Sequence, residues 1–311
     1  MSELLGPAEY GPDAEPGAAV TTARDYRVVH VTRYTYSDDV STSYGRAHLL
    51  PRSTEGQAVL DSNVVLTPPA DEFRSHVDYF GNTSSYYTVR TSHIELEVSA
   101  VSNVRIWREP ASLAALNAMT WEVARDQIAD DVTMHAYTLP SPLVPSLDEL
   151  IAYATPSFAP GRPLGDALME LVHRIYTDFA YVSGSTTVKT PLTDVFAQRR
   201  GVCQDFAHVA IACLRSVGLP TRYVSGYLET TPPPGMPKLQ GADQSHAWAA
   251  VRIPGLEWVD IDPTNDQFVD NRYITTAWGR DYSDVPPLKG VILTDAKDST
   301  LEVSVDVFRV N

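Results

Sequence analysis

The chain has 311 residues, of which 43% are hydrophobic and 20% charged, a composition that excludes a mostly disordered protein. Its 24 basic and 39 acidic residues give a formal net charge of −15, which disfavours binding to nucleic acid or to an anionic membrane surface. Residues 1–23 are acidic, rich in Pro, Gly and Ala, and lack the features of a signal peptide. They predict a flexible arm and a cytoplasmic protein.

Residues 24–110 predict an antiparallel β domain. The run 25–36 is dense in aromatic and β-branched residues, which favours a long strand. Further strand-like runs occur at 59–67, 76–79, 84–90 and 94–107, separated by turn signals such as Gly81-Asn82.

Residues 111–160 differ in character from the β region. The part from 111 to 130 has a helical composition, and the stretch that follows is rich in proline, so the segment is predicted to connect two domains. An amphipathic helix is predicted at 163–179, because Leu164, Leu168, Leu171 and Ile175 recur at intervals of three and four. A second, short helix is predicted between Pro191 and Gly201.

The remaining elements complete an α+β pattern, with a core predicted at 161–285 and C-terminal strands at 286–311. A buried helix is predicted from Cys203 to Gly218, where glycine is placed to end it. Strands are predicted at 222–228, 246–253, 258–262 and 300–310, with a loop of four prolines at 232–241.

The two cysteines differ in their predicted surroundings. On one helix they lie about 15 Å apart, beyond the roughly 7 Å that a disulfide allows, so both are predicted to be free thiols. Cys203 falls at the helix start, where unpaired N–H groups and the dipole stabilise a thiolate, and Arg199 and Arg200 precede it. Cys213 lies almost three turns further on, along the apolar side. Cys203 is therefore the predicted nucleophile.

A cysteine nucleophile needs a base and a third group that orients the base. His246 opens one predicted strand, and both Asp260 and Asp262 share a face of the next strand. Pairing Ile253 with Glu257 across the turn places Asp262 one diagonal step from His246, whereas Asp260 falls about 13 Å away. The register therefore favours Asp262 as the orienting carboxylate.

Four segments of the chain resemble the bacterial transglutaminase-like superfamily. They read Gly-Val-Cys-Gln-Asp-Phe-Ala-His from residue 201, Leu-Arg-Ser-Val-Gly-Leu-Pro-Thr-Arg-Tyr-Val-Ser-Gly-Tyr from 214, Asp-Gln-Ser-His-Ala-Trp from 243, and Trp-Val-Asp-Ile-Asp-Pro-Thr-Asn from 258. The strand at 26–36, Leu50-Pro51-Arg52 and Asp78-Tyr-Phe-Gly-Asn82 are similar to the family's β-rich N-terminal domain. The resemblance extends over about residues 24–310.

The resemblance implies an α+β fold in which an N-terminal antiparallel β domain is followed by a papain-like transglutaminase core. It implies a catalytic triad of Cys203, His246 and Asp262, the three residues that the helix start and the strand register also select. Because most bacterial members look like amidases or peptidases, it implies a cysteine-dependent hydrolase of amide or peptide bonds with a thioester intermediate.

Two alternatives are a protein-glutamine transamidase and a non-catalytic peptide-binding module. The chain lacks the Gly-Gln-Cys-Trp signature of animal transglutaminases and a calcium loop of the EF-hand type, so no metal or other cofactor is expected. No tryptophan flanks Cys203 to help exclude water, which favours hydrolysis over cross-linking. All three triad residues are present, which disfavours the binding module.

Other residues near the predicted cleft are weaker candidates. Asp205, Tyr227, Asp243 and Trp248 are predicted to contribute to substrate binding, although a helix-start charge for Asp205 and packing for Trp248 are alternatives. His208 is predicted to be a buried helix residue rather than a second base. The expected partner is a peptide or protein amide, and the resemblance also implies a link to ATP-grasp-type amide ligases.

Overall fold

The computed structural model describes residues 22–230 and 243–310. All but the last two residues of the predicted arm, and the whole of the predicted loop at 232–241, lie outside these ranges. The described chain has the predicted α+β architecture, with a large antiparallel sheet and a second sheet packed against helices.

The N-terminal sheet is built around one long strand. The strands of this region are β1 (Arg24–Ala47), β2 (Gln57–Thr67), β3 (Glu72–Val77), β4 (Thr83–Val89) and β5 (His93–Ile106). They pair in the order β2-β5-β1-β4-β3, all antiparallel. The predicted strand at 76–79 is wrong in its bounds, because Asp78 Oδ1 accepts the N–H groups of Phe80 and Asn82 and turns the chain there.

The middle of the chain is mainly helical. Its elements are α1 (Leu113–Leu116), α2 (Trp121–Ile128), α3 (His135–Thr138), α4 (Asp148–Ala154), α5 (Leu164–Asp178), β6 (Ala180–Tyr181), α6 (Leu192–Gln198), β7 (Arg200–Gly201) and α7 (Cys203–Ser216). The amphipathic helix predicted at 163–179 is α5, and Leu164, Leu168, Leu171 and Ile175 on its apolar face are fully buried, as the pattern requires.

The segment predicted as a connector also belongs to the helical core. Leu116 of α1, Ala124 of α2 and Leu150 of α4 are buried in the same cluster as residues of α5 and α7. The helical composition of 111–130 resolves into two helices because Thr120 begins a new one, with its Oγ1 accepting the Val123 N–H.

The second sheet carries the strands that flank the site. They are β8 (Thr221–Leu228), β9 (Gln244–Ile253), β10 (Glu257–Asp262), β11 (Gln267–Phe268) and β12 (Tyr273–Gly279), in the order β11-β10-β9-β8-β12. The sequence predicted β8, β9 and β10 but not β12. Apolar residues of β9 and β10, among them Val251 and Ile261, pack in one core with α7.

The last two strands return to the N-terminal sheet. They are β13 (Leu288–Thr294), which lies in the predicted region of C-terminal strands at 286–311 although its bounds were not predicted, and β14 (Ser299–Arg309), close to the predicted strand at 300–310. Both pair with β1 in antiparallel register, so β1 has neighbours on its two sides.

Candidate active site

Cys203 is the first residue of α7 and is partly exposed. The short parallel pair of β6 and β7 places Tyr181 beside Gly201, directly before the helix begins. The N–H groups in the first turn of a helix have no acceptor within it, so those of Cys203 and Gln204 are available to a bound group. A nucleophile and hydrogen-bond donors for an oxyanion therefore coincide at this helix start.

His246 and Asp262 are brought together by the predicted strand register. Glu257 pairs with Ile253 and Asp260 with Ala250, so Asp262 falls at the end of β10 near the start of β9. The His246 imidazole is 9% exposed, and its Nε2 lies 2.7 Å from Oδ2 of the fully buried Asp262. Because an ionised carboxylate only accepts, Nε2–H is the donor, and Nδ1 is the nitrogen that remains for the thiol.

The imidazole also interacts with Cys203, which completes the chain of three side chains. Burial alone would lower the pKa of His246, but the charge and hydrogen bond of Asp262, with a hydrogen bond that His246 donates to Cys203, outweigh it and raise the pKa to about 10. At neutral pH this environment favours imidazolium, the form that can protonate a leaving group and pair with a thiolate.

Asp262 is held in its charged form by several donors. Its Oδ2 accepts hydrogen bonds from the Tyr273 hydroxyl at 2.7 Å and from Asn265 Nδ2 at 2.7 Å, and its Oδ1 accepts the Thr264 N–H at 2.8 Å. Burial would raise the pKa of Asp262, but His246 and these hydrogen bonds lower it below its usual value. The buried carboxylate therefore remains charged and fixes the tautomer of His246.

Tyr273 and Asn265 are site residues that the sequence reasoning missed. Asn265 stands in the Asp-Pro-Thr-Asn segment that carried the family resemblance, so that motif contained a signal for it. Tyr273 lies on β12, which pairs with β8 rather than with the hairpin of His246 and Asp262, and nothing local in the sequence marks it. Its hydroxyl also accepts a hydrogen bond from Gln267 Nε2 at 2.6 Å.

Cys213 has the contrasting environment that the sequence predicted. It is buried, and its Sγ lies 3.7 Å from the backbone oxygen of Leu150. Burial raises the pKa of this thiol to about 12, only partly offset by Arg174 and Arg199. Arg199 was expected to act near Cys203, but its guanidinium stacks over Phe196, with 3.8 Å to the ring centroid.

Asp205 and Trp248, which the sequence predicts to contribute to substrate binding, both have structural partners. Asp205 is buried, and its Oδ2 accepts hydrogen bonds from the Val202 N–H at 2.8 Å and the Thr186 hydroxyl at 2.6 Å, so it caps α7. Trp248 is fully buried and donates from Nε1 to Asp260 Oδ1 at 3.0 Å. It packs beside the site, since its ring centroid lies 6.2 Å from that of His246.

Tyr227 and Asp243, the other two residues predicted to contribute to substrate binding, join the second sheet to the N-terminal sheet. Tyr227 lies next to Gly226, the residue opposite His246, and therefore points to the other face. It is buried among residues of β1, β5 and β14, and its hydroxyl donates to the Leu49 backbone oxygen at 3.0 Å. Asp243 accepts the N–H groups of Thr230 and Val307.

His208 has the structural position that was predicted. It is buried within α7, its Nε2 accepts the Tyr282 N–H at 3.2 Å, and its ring packs against Tyr223.

Within 22–230 and 243–310, no three His, Cys, Asp or Glu side chains converge as metal ligands. No helix in these ranges combines the length and apolar character of a membrane span.

Two family models match this chain, and curated relatives resemble it over most of its length. Residues 26–105 match the bacterial transglutaminase-like N-terminal region, and residues 152–263 match the transglutaminase-like superfamily. An uncharacterized protein of Mycobacterium tuberculosis strain H37Rv is 46% identical over 91% of this chain and 92% of its own length. An uncharacterized Mycobacterium leprae protein is 34% identical over 91% of this chain and 98% of its own.

A crystal structure of a candidate cysteine protease from Cytophaga hutchinsonii has the same fold. It aligns with a TM-score of 0.75 and 22% identity, covering 93% of this chain and 92% of that one. A helix that begins with cysteine, packed on an antiparallel sheet that bears a histidine and an aspartate, defines a papain-like transglutaminase fold. The chain belongs to the transglutaminase-like superfamily and carries its bacterial N-terminal region.

Proposed function

We propose that the protein is a cysteine-dependent hydrolase of amide or peptide bonds, with Cys203, His246 and Asp262 as its catalytic triad. The observation that carries the proposal is the buried His246, which lies between the partly exposed Cys203 and the charged Asp262. Acyl transfer through a thiol requires a nucleophile next to a base, and a carboxylate that orients the base, which is the order of these three side chains.

The reaction proceeds in two halves. The Cys203 thiolate attacks the carbonyl carbon, and the first-turn N–H of Cys203 donates to the resulting oxyanion. The His246 imidazolium then protonates the leaving nitrogen as the C–N bond breaks, which leaves a thioester and releases an amine. A water molecule transfers a proton to His246 and attacks the thioester, so the products are a carboxylic acid and the free thiol.

The most direct test compares two cysteine variants. We expect Cys203→Ala to abolish release of a fluorescent amine from a library of peptidyl amides, and Cys213→Ala to retain most of it. Both changes remove one thiol from α7, so Cys213→Ala is a matched control for the loss of a cysteine. Equal activity of the two variants would refute the assignment of the nucleophile, and the absence of turnover with any peptidyl amide or ester would favour the peptide-binding module.

The fate of the thioester separates hydrolysis from transamidation. Water at about 55 M competes with an amine acceptor unless the site binds that amine and excludes solvent. With a glutaminyl peptide and excess primary amine, we expect the acid to be the main product, measured by mass spectrometry. A predominance of the substituted amide would assign the protein as a transamidase. The relation to ATP-grasp-type ligases stays a prediction drawn from the family resemblance.

A further inference from the structure

A cavity of about 650 Å³ lies away from the triad. Its walls are the turn at 54–56, the segment 107–109 after β5, α1, and residues of the second sheet. Asp260, which lines it, pairs with Ala250 and so lies about 13 Å along β9 from His246. None of the three proposed catalytic residues is part of its lining. The volume is that of a site for a small ligand or a short peptide end.

The inner wall of this cavity contains Arg222, which is stacked between aromatic rings. Its guanidinium carbon lies 4.1 Å from the ring centroid of Trp258 and 3.6 Å from that of Trp278. Arg52 lies 3.3 Å from the centroid of Trp278, and two guanidinium groups this close to one ring must occupy opposite faces. The stack fixes the plane of the Arg222 guanidinium, so only the N–H groups at the edge of that plane can bind a ligand.

The Arg222 guanidinium has no hydrogen-bond acceptor in the described part of the chain. The residue is 7% exposed, its buried Nε lacks a partner, and no carboxylate of residues 22–230 or 243–310 forms an ion pair with it. Burial lowers the pKa of Arg222 to about 9, and Arg52 and Arg108 add to the effect against the opposing charge of Asp260. A buried cation that has aromatic neighbours but no anionic partner is costly, so this position is suited to an anion supplied from outside.

Arg215 shows what a purely structural arginine looks like in the same core. It is 8% exposed, comparable to Arg222. Its guanidinium donates to the backbone oxygens of Thr221, Leu139 and Arg280 and to the Ser141 hydroxyl. Burial in this fold therefore does not by itself prevent an arginine from being fully satisfied.

The rim of the cavity sets the charge of the ligand. Glu55, Glu109 and Glu257 are exposed at its edge, Asp260 lies inside, and Arg108 is a second cation of the lining. The acidic groups repel a dianion such as phosphate more strongly than a group with a single negative charge. Trp107, which is 40% exposed, offers apolar surface. A single planar carboxylate on an apolar body matches both the fork of Arg222 and this surface.

We propose that this cavity binds a ligand with a single carboxylate, which forms an ion pair with Arg222 while its apolar part contacts Trp107. The carboxylate belongs either to the C-terminus of a peptide or to a small organic acid. The site is independent of the proposed amide hydrolysis, because its lining excludes the triad.

Calorimetric titration with matched probes tests the proposal. We expect N-acetyl-phenylalanine to bind roughly tenfold or more tightly than its uncharged amide, because only the acid forms a charge-assisted bidentate pair. Ala115→Phe, at an exposed lining position of α1, should remove binding, whereas Ala114→Phe, exposed on the same helix but outside the lining, should retain it. Arg222→Gln should remove the preference for the acid.

The outcomes separate clearly. Three results would overturn the proposal. The first is equal binding of the acid and the amide, and the second is equal binding of the acid by Ala115→Phe and Ala114→Phe. The third is that neither a peptide with a free C-terminus nor a free acid binds. The Ala115→Phe comparison keeps it testable if Arg222→Gln does not fold. Binding of the free-ended peptide but not its amidated form assigns the source as a peptide end, and binding of N-acetyl-phenylalanine alone assigns a small acid.

Discussion

Tyr273→Phe removes one hydroxyl group from the buried network around Asp262. That hydroxyl donates to Asp262 Oδ2 at 2.7 Å and accepts from Gln267 Nε2 at 2.6 Å. Hydrogen bonds to charged groups contribute about 1.5–3 kcal/mol, and the phenyl ring of the variant fills nearly the same volume. The carboxylate keeps its contacts with His246, Asn265 and the Thr264 N–H, so the site is weakened rather than lost.

We expect kcat/KM to fall by roughly 10- to 100-fold in Tyr273→Phe, since about 1.4 kcal/mol corresponds to a factor of ten. Tyr227→Phe is the matched control: it removes a buried hydroxyl from β8 whose hydrogen bond goes to the Leu49 backbone oxygen, away from the site. We expect that variant to lose about 1 kcal/mol of unfolding free energy and to keep its kcat/KM.

The assay is peptidyl-amide turnover measured alongside urea unfolding for both variants. If Tyr273→Phe loses stability but keeps the kcat/KM of the parent, the hydroxyl is only a packing feature and the reasoning is refuted. If both variants lose kcat/KM equally, the effect comes from general loosening of the second sheet. The pH profile of Tyr273→Phe gives a further readout, because a residue that positions Asp262 acts on the titration of His246.

Three further predictions concern the same region. Iodoacetamide should alkylate Cys203 much faster than Cys213, because Cys213 is buried and its pKa is raised to about 12; peptide mapping that finds equal rates would contradict this. Activity should fall as pH rises through about 10, where His246 loses its proton. Asp262→Asn should move the midpoint of this fall toward 6.5, the ordinary pKa of histidine. An unchanged midpoint in the variant would show that Asp262 does not set the pKa of His246. Gly201→Ala should cost about 1–3 kcal/mol in urea unfolding, since its Cβ would lie 2.6 Å from Asp205 Oδ2; an unchanged midpoint would show that the helix start can shift.

The positions of Cys203, His246 and Asp262 in the fold could be predicted from short stretches of sequence. The position of Cys203 at a helix start followed from composition and Gly201, and the pairing of Ile253 with Glu257 followed from turn length and strand parity. These features depend on residues close together in the chain, so they can be read from a short window of sequence.

Other features depend on pairings between distant segments, and the sequence does not display them. Tyr273 reaches Asp262 only because β12 pairs with β8, and Tyr227 faces away from the cleft because the pairing of β8 with β9 sets Gly226 opposite His246. Asp243 looked like a cleft residue, yet its partners include Val307 near the other end of the described chain. Contacts of this range are decided by packing, for which neighbouring residues carry no periodic signal.

The pairing of β14 bears on the order in which the protein can mature during synthesis. The last strand borders β1 and also contacts Asp243, three residues before His246, through the Asp243–Val305 bridge and the Val307 N–H. Until the ribosome has released residues 299–309, one side of β1 is an open strand edge and the chain before His246 lacks this anchor. The nascent protein is thus expected to carry every proposed catalytic residue before β14 can pair, so we expect the proposed amide cleavage to begin only after β14 has been synthesised and has joined the sheet.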